Sequence, residues 1–256
     1  MTRPLLALVR REFSAYFLSP VAYVTLAVFL LVTGHLFFLT MTGLTETGPR
    51  GVEYPMQALL GDEKFWLVFL FIPPLLTMRL LAEERGTGTL ETLLTAPIRD
   101  WQVVAGKYIG AVLFYLVLWL PTLLYVPVLG GFDWSARRFS IDPNPVLTSY
   151  LGVVLAGAMF LAVGLLVSSL VKSQLVAAML SLVVSLVFVL AAFWRPDLDA
   201  NTLAGRLVPF LSVPEHFRRD FTRGLVDTRA VVLYLSVTAF CLFLTVRSLE
   251  ARRLRA

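Results

Sequence analysis

The side chains able to do chemistry are few in this 256-residue sequence, and their densest group lies between residues 78 and 97. Glu83, Glu84, Arg85 and Glu91 belong to this group, which we call the polar loop. No set of nucleophile, general base or metal ligands accompanies them. Their type and spacing therefore favour contacts with another protein over catalysis.

The remaining reactive residues exclude several kinds of site. Gly106-Lys107 is followed by Tyr108 and lacks the upstream glycine and the hydroxyl of a phosphate-binding loop, so the chain cannot bind and hydrolyse ATP by that route. The single cysteine, Cys241, excludes an intrachain disulfide and a cysteine-based metal cluster. We expect no catalytic residue, no bound metal and no enzyme activity in this chain.

The second half of the polar loop has the pattern of a short helix. Thr89 can cap it, Glu91 in its first turn favours the positive end of the helix dipole, and Pro97 stops it. One apolar ridge would consist of Leu90, Leu93 and Leu94. An exposed ridge beside acids predicts a protein partner, and the alternative is a solvated connector folded against its own bundle.

Charged residues are segregated along the chain. The sequence holds 22 Lys and Arg and 17 Asp and Glu, with 58% hydrophobic residues. Six long runs carry none of these charges: residues 13–45, 65–78, 108–132, 143–171, 173–194 and 230–246. Because a membrane-spanning helix needs roughly 20 mostly apolar residues, this pattern predicts an all-α, multi-pass membrane protein.

We place six transmembrane helices in a single domain that covers residues 1–256. The predicted spans are about 21–42, 65–82, 104–129, 147–170, 174–194 and 229–247. The second contains Pro73-Pro74 and reaches spanning length only if Arg79 extends its guanidinium to the membrane interface. Six spans put both termini on one side, and the N-terminal arginines indicate the cytoplasmic side of the inner membrane.

The N-terminal segment 3–17 is predicted as an amphipathic helix in the membrane interface instead of a span. One face would carry Leu5, Leu8, Val9, Phe13, Tyr16 and Phe17, and the other Arg3, Ala7, Arg10, Arg11 and Ser14. Further along, Gly106 and Gly110 are four residues apart, so another helix can approach closely there. That helix would belong to the same subunit or, alternatively, to a second copy.

The predicted outer loop, residues 195–228, has a second amphipathic pattern. Ser212 and Glu215 have the spacing of a capping box. Phe217, Phe221 and Leu225 follow at intervals of four residues. This pattern predicts a short helix on the outer membrane surface. The alternative is a gate or a docking surface for an extracytoplasmic protein, formed by Phe217, Arg218, Arg219 and Phe221.

The predicted spans contain no carboxylate that could couple transport to an ion gradient. Coupled transporters usually keep an ionisable group at mid-membrane depth, and His35 is the only candidate. An ordinary hydrogen-bonded or interfacial histidine is the simpler interpretation. The energy for any transport must then come from outside this chain.

Residues 78–97, continuing to Trp101 and Gly106-Lys107, resemble the ABC-2 type permease family, the membrane subunits of ATP-binding-cassette exporters. Residues 152–169 with Lys172-Ser173-Gln174, and the tail 242–253, resemble the same family. Within it they are similar to the branch of gliding-motility-associated and nitrous-oxide-reductase-maturation permeases. The resemblance covers essentially the whole chain and specifies no substrate.

This resemblance implies a type V exporter-like bundle of six spans with an N-terminal elbow helix. It also implies two permease subunits, either a homodimer or this chain with a sister permease, and two cytoplasmic ATPase subunits. The elbow would use Arg3, Arg10, Arg11 and Phe13. The coupling helix, seated in a cleft of the ATPase, would use Glu83, Glu84, Arg85, Gly86, Thr89, Leu90, Glu91, Leu93 and Leu94. ATP and magnesium would bind the ATPase, so this chain would need no cofactor.

The substrate pathway is expected between two bundles, with Phe69, Thr77 and Ser185 as lining residues. The lack of intramembrane charge argues against a small ion and favours an amphiphile, a lipid-linked glycan or a peptide. The cluster of arginines at the C-terminal end indicates anionic lipid as a partner, and not nucleic acid.

Two other functional classes remain open. An ATPase-driven mechanical or scaffold complex could act on an extracytoplasmic partner through residues 195–228 without translocating anything. A membrane-embedded enzyme is the third class, against which the missing catalytic residues argue.

Overall fold

The computed structural model describes residues 2–47, 55–89, 99–130, 142–191 and 203–253, and this part of the chain is helical without a strand. The helices are α1 (Thr2–Leu18), α2 (Pro20–Thr47), α3 (Pro55–Leu60), α4 (Glu63–Phe69), α5 (Ile72–Thr77), α6 (Ala82–Gly86), α7 (Asp100–Trp119), α8 (Tyr125–Gly130), α9 (Pro143–Leu170), α10 (Gln174–Leu190), α11 (Leu203–Leu211), α12 (Val213–Arg219) and α13 (Thr228–Arg253). Two 3-10 turns, Leu120–Leu124 and Phe221–Arg223, link α7 to α8 and follow α12.

Within the described ranges, four helical segments are long and apolar enough to cross a membrane: Pro20–Thr42, Asp100–Val128, Pro143–Leu170 and Thr228–Ala251. Phe65–Thr77 and Gln174–Leu190 are apolar but shorter. Four such segments in one chain make it a multi-pass membrane protein. Because the other two fall short of spanning length, the total of six spans stays a prediction.

The region of the predicted second span is not one continuous helix. Helix α4 ends at Phe69, and α5 begins at Ile72 with Pro73 and Pro74 in its first turn. A proline has no N–H to donate, and the first turn of a helix needs none, so the Pro-Pro pair begins a helix here and does not kink one.

Helix α9 forms the centre of the bundle. Its apolar window is 72% buried, against 17% for that of α2. Two glycines let neighbours approach its backbone closely, because a Cβ on Gly157 would collide with Tyr115 and one on Gly164 with Thr77. The Tyr115 hydroxyl also donates a hydrogen bond to the Val153 carbonyl at 3.0 Å. Side chains of α7 and α5 thus pack directly on the backbone of α9, where the two glycines leave room for them.

An aromatic cluster packs α4 against α7 and α9. Trp66 and Phe69 of α4 pack edge-on, with ring centroids 5.1 Å apart, and Phe69 also contacts Trp119 and Phe160. The Trp66 indole donates a hydrogen bond to the Leu60 carbonyl at 2.9 Å. Its nitrogen is therefore satisfied although the side chain is fully buried.

Candidate functional site

The first residues of the polar loop are hydrogen-bonded to a buried serine of the central helix. Ser168, on the last turn of α9, accepts hydrogen bonds from the backbone N–H groups of Leu81 and Ala82 at 3.2 and 3.0 Å. Its hydroxyl donates to the Met78 carbonyl at 3.3 Å. One side chain therefore satisfies three backbone groups at the turn between α5 and α6, and fixes that turn to α9.

Arg85 attaches the next residues to the same helix end. Its Nη1 donates to the carbonyls of Ser169 and Val171 at 2.6 and 3.0 Å. The last carbonyls of a helix have no partner within the helix and carry its negative dipole end, so a guanidinium is favourable there. Arg85 therefore points into its own subunit.

Glu84 turns to the other side of α6, towards a buried lysine. Lys107 of α7 is 2% exposed and contacts carboxylate oxygens of Glu84 at 2.7 Å and Glu12 at 3.1 Å. Both carboxylates are themselves largely shielded from solvent, at 19% and 11% exposure. A charge held in this way needs its partners, because an unpaired charge in such surroundings is strongly unfavourable. The ion-pair cluster joins α1, α6 and α7.

Two glycines of α7 provide the surface on which α1 packs. A Cβ on Gly106 would lie 2.6 Å from the Leu8 side chain. One on Gly110 would lie 2.9 Å from the Glu12 Cβ and 3.3 Å from the Phe13 backbone nitrogen. The predicted close approach at this glycine pair is confirmed, and the helix that makes it belongs to the same subunit.

The residues predicted for the elbow are found in α1. Arg10 and Arg11 are exposed, and Phe13 is half-buried with its ring 5.1 Å from that of Phe17. Tyr16 donates a hydrogen bond to the Leu76 carbonyl at 2.8 Å, which ties α1 to α5. The side chain of Arg3 lies outside the described part of the chain.

Part of the polar loop is exposed, at Glu83 and again beyond Arg85. Glu83, Gly86 and Thr89 are all exposed, and the Thr89 hydroxyl is 3.0 Å from that of Thr87. Gly88 has a φ of 76°, in the left-handed region where a side chain is disfavoured. The remaining predicted coupling residues, Leu90, Glu91, Leu93 and Leu94, lie outside the described residues.

The predicted pathway residues lie inside the subunit. Phe69, Thr77 and Ser185 are at most 1% exposed. The Thr77 hydroxyl donates to the Pro73 carbonyl at 2.8 Å, whereas the Ser185 hydroxyl has no hydrogen-bond partner among the described residues. In the described arrangement these side chains therefore do not reach the subunit surface, so they cannot line a pathway between two subunits unless the helices move. His35 is an exposed residue of α2.

In the predicted outer loop, the capping interaction is confirmed and the longer apolar line is wrong. The Ser212 hydroxyl accepts from the Glu215 N–H at 3.4 Å. Helix α12 nevertheless ends at Arg219, and Gly224 (φ 84°) reverses the chain after a 3-10 turn. Phe217, Phe221 and Leu225 therefore do not share one helical face.

Two of the four residues predicted for the partner surface in this region are not accessible. Phe217 and Phe221 are completely buried, and both contact the position of a Cβ on Gly152. Arg218 and Arg219 pair with Glu215, and Arg219 is the more exposed. The mechanical or scaffold alternative acts on a partner through residues 195–228, and the two buried phenylalanines are not accessible to such a partner.

Sequence reasoning missed three polar side chains that the fold uses: Lys107, Ser168 and His216. The His216 Nδ1 lies 2.9 Å from the Tyr234 hydroxyl. Burial lowers the pKa of this imidazole below its ordinary value of 6.5, an effect only partly opposed by the charges of Asp227 and Glu215. The available signals were a lysine in the first turn of the predicted span 104–129 and a Ser-Ser pair near the end of the run 143–171.

Comparison with known proteins gives this arrangement a context. Residues 57–246 match the family described as ABC-2 family transporter protein, and this range includes the polar loop, Lys107, α9 and most of α13. None of the curated proteins matches the chain. The chain therefore belongs to the ABC-2 transporter family and is a multi-pass membrane permease of an ABC transporter.

Proposed function

We propose that this permease uses ATP hydrolysed by a separate cytoplasmic ATPase, which docks on the polar loop and drives a substrate outward. Membership of the family implies an ABC ATPase subunit as partner and, typically, a dimeric arrangement. The second permease subunit is a further copy or a sister permease. ATP and magnesium would bind the ATPase, since permeases of this family are normally non-enzymatic.

The observation that carries this proposal is the double attachment of α6. On one side, Ser168 and Arg85 connect it to the end of α9. On the other side, Glu84 connects it through Lys107 to α7 and α1. A displacement of α6 would therefore be passed to the central helix and to the elbow helix together.

The mechanism follows from this geometry. Packed helices move as rigid bodies between discrete arrangements because their interfaces do not deform continuously. Closure of the ATPase would pull on the exposed end of the polar loop, residues 86–89, and on the leucine ridge that follows in sequence. Because α6 is fixed to α9, the pull would rock the bundle instead of unravelling the loop.

The pathway belongs between two bundles, and its lining would become accessible only on rocking. Phe69, Thr77 and Ser185 are buried in the described arrangement. The unpartnered hydroxyl of Ser185 is a polar group available to a substrate once α5 and α10 separate. An amphiphile, a lipid-linked glycan or a peptide fits such a weakly polar, uncharged lining better than an ion does.

Both termini are placed on the cytoplasmic side of the inner membrane, together with the polar loop. The Arg253 guanidinium, at the end of α13, lies 3.4 Å from the Asp100 carboxylate at the start of α7. Helix α1 contacts the same end of α7 through Gly106. These contacts support a common side for the two termini and the proposed ATPase surface.

The test is purification of the tagged permease from its own host in mild detergent, with bound proteins identified by mass spectrometry. An ATPase carrying a phosphate-binding loop should co-purify with the wild type. It should be lost when Leu90, Leu93 and Leu94 are changed together to serine, and retained in the control Leu225→Ser/Val226→Ser, which alters exposed residues elsewhere. Absence of any ATPase from the intact wild type, or equal retention in both variants, would overturn the proposal.

A further inference from the structure

A cavity of about 550 Å³ lies where α1, α2, α5 and α6 meet. One part of its wall is apolar and another part is polar. Val21, Ala22, Leu75 and Leu76 make one part apolar, and Arg79 and Glu84 make the other polar. In the proposed topology this site lies at the membrane interface, beside the elbow helix.

Two residues that line the cavity, Arg79 and Glu84, each have a buried side-chain atom without a hydrogen-bond partner among the described residues. Within the described part of the chain, four buried side-chain atoms have no hydrogen-bond partner, and Arg79 Nε and Glu84 Oε2 are two of them. Arg79 uses its Nη1 on the Ser19 hydroxyl at 2.8 Å, and Glu84 uses its Oε1 on Lys107. One residue thus lacks an acceptor and the other lacks a donor.

Unsatisfied buried groups are costly, and charged ones more so. A ligand that brings an anion to Arg79 and a hydrogen-bond donor with positive charge to Glu84 would satisfy both atoms once the two side chains turn towards it. The charged residues that line the cavity balance: they are Arg11, Arg79 and Lys107 against Glu12, Glu83 and Glu84. This balance favours a ligand headgroup of no net charge.

We propose that the cavity binds one phospholipid whose headgroup carries a phosphate and a primary ammonium, such as phosphatidylethanolamine. The phosphate accepts hydrogen bonds from Arg79, and the ammonium donates to Glu84. The start of the acyl chains lies against the apolar wall formed by α2 and α5. The site lies outside the substrate pathway proposed above, although Glu83, Glu84 and Thr89 of its lining belong to the polar loop.

The chemistry separates this lipid from its relatives. A choline headgroup keeps the positive charge but has no N–H to donate to Glu84. A phosphoglycerol headgroup has hydroxyls that can donate to Glu84 but no cation, so it would bring a net negative charge to a cavity whose own charges balance. A soluble headgroup without acyl chains would leave the apolar wall uncovered.

The test is native mass spectrometry of the purified permease alone, titrated with phosphatidylethanolamine, phosphatidylcholine and phosphatidylglycerol of identical chains. One phosphatidylethanolamine should bind, at least about tenfold more tightly than the other two. Arg79→Gln should weaken binding of all three, and Glu84→Gln should abolish the preference. Arg247→Gln, an exposed arginine outside the cavity, should match the wild type.

A second variant separates lipid binding from the stability of the ion-pair cluster, since Glu84 also contacts Lys107. Ala15 is exposed on α1 and lines the cavity, so Ala15→Trp should fill it and prevent binding of every lipid without a lower melting temperature. Equal binding of the three lipids to the wild type would overturn the proposal. So would displacement by glycerophosphoethanolamine as effective as displacement by the lipid.

Discussion

Lys107 is the residue on which three helices converge. Its ammonium lies between the carboxylates of Glu12 and Glu84, which are 95 and 23 residues away in sequence. The ion pairs are shielded from solvent, so screening weakens them less than it weakens surface pairs. Loss of the cation would leave two carboxylates facing each other at the junction of α1, α6 and α7.

We therefore expect Lys107→Met to lower the free energy of unfolding by about 3 kcal/mol, the cost of leaving a buried charge without its partner. Thermal unfolding in detergent, followed by intrinsic fluorescence, measures the change. The matched control is Lys172→Met, because Lys172 is exposed. Equal melting temperatures for the two variants would show that the ion pairs do not stabilise the bundle.

His216 gives the stability of the protein a pH dependence. Because burial lowers its pKa in the folded state, the imidazole prefers to be neutral there and accepts a proton more readily once unfolded. The contribution of the neutral imidazole to the free energy of unfolding is then fully present above the ordinary pKa of 6.5. It is lost as the pH falls below 6.5 towards the lower pKa of the folded state.

Melting temperatures measured between pH 7.5 and about 5 should therefore decline, and His216→Gln should flatten the decline. The neighbouring charges that enter the balance are those of Asp227, Glu215 and Arg219. A decline of unchanged slope in His216→Gln would assign the pH dependence to other groups.

At the scale of elements, the packing of α1 on α7 depends on the absence of a side chain at Gly110. Its neighbours include the Phe13 backbone, which cannot move aside as a flexible side chain can. Gly34, by contrast, has only the Tyr125 hydroxyl at 3.4 Å from a Cβ position, which is an ordinary contact.

Gly110→Leu should displace α1 and destabilise the protein by about 1–3 kcal/mol, as overpacking does. Trypsin should cut faster at Arg10 and Arg11 in this variant, because the displaced helix opens more readily. Gly34→Ala should be cut at the wild-type rate. If Gly110→Leu is as resistant as Gly34→Ala, α1 is not held by this contact.

The sequence-based predictions succeeded where the deciding interactions are local. The period of apolar residues in 3–17 predicted a helix that the structure extends over Thr2–Leu18, because periodicity reports which face packs. It failed beyond Arg219, where a helical pattern continues through Phe221 although Gly224 turns the chain. It could not place the break after Phe69, because Pro-Pro can either kink a helix or begin one.

The candidate site was predictable only in outline. The polar loop stands out by composition, and a membrane permease follows from charge segregation with the family resemblance. The direction of Glu84 and Arg85 into the bundle was not predictable, because their partners are distant in sequence: Ser169 is 84 residues from Arg85. A sequence pattern covers only residues close together in the chain, so it cannot predict such a contact.

At the scale of the whole molecule, the contact between Arg253 and Asp100 sets the end of α13 beside the start of α7, near the polar loop. Arg223 precedes α13 and therefore lies towards its other end. Cytoplasmic termini then require Arg223 to lie outside. The two positions are sensitive reporters of orientation.

In a Cys241→Ala background, we expect Arg223→Cys to react with a membrane-impermeant maleimide added to spheroplasts. Arg253→Cys should react only after the membrane is permeabilised. Mass shift of the labelled protein on a gel measures both. The reverse labelling pattern would show that the molecule has the opposite orientation and that the polar loop does not face the cytoplasm.

The most direct test of the central claim is site-specific cross-linking of the permease to the co-purified ATPase. Glu83 is exposed at the start of the polar loop, and Arg223 is exposed at the other end of the molecule. Glu83→Cys, in the Cys241→Ala background, should cross-link to the ATPase with a yield that changes when ATP is added, whereas Arg223→Cys should not. Cross-linking through Arg223→Cys, or none through Glu83→Cys in an intact complex, would contradict coupling through this loop.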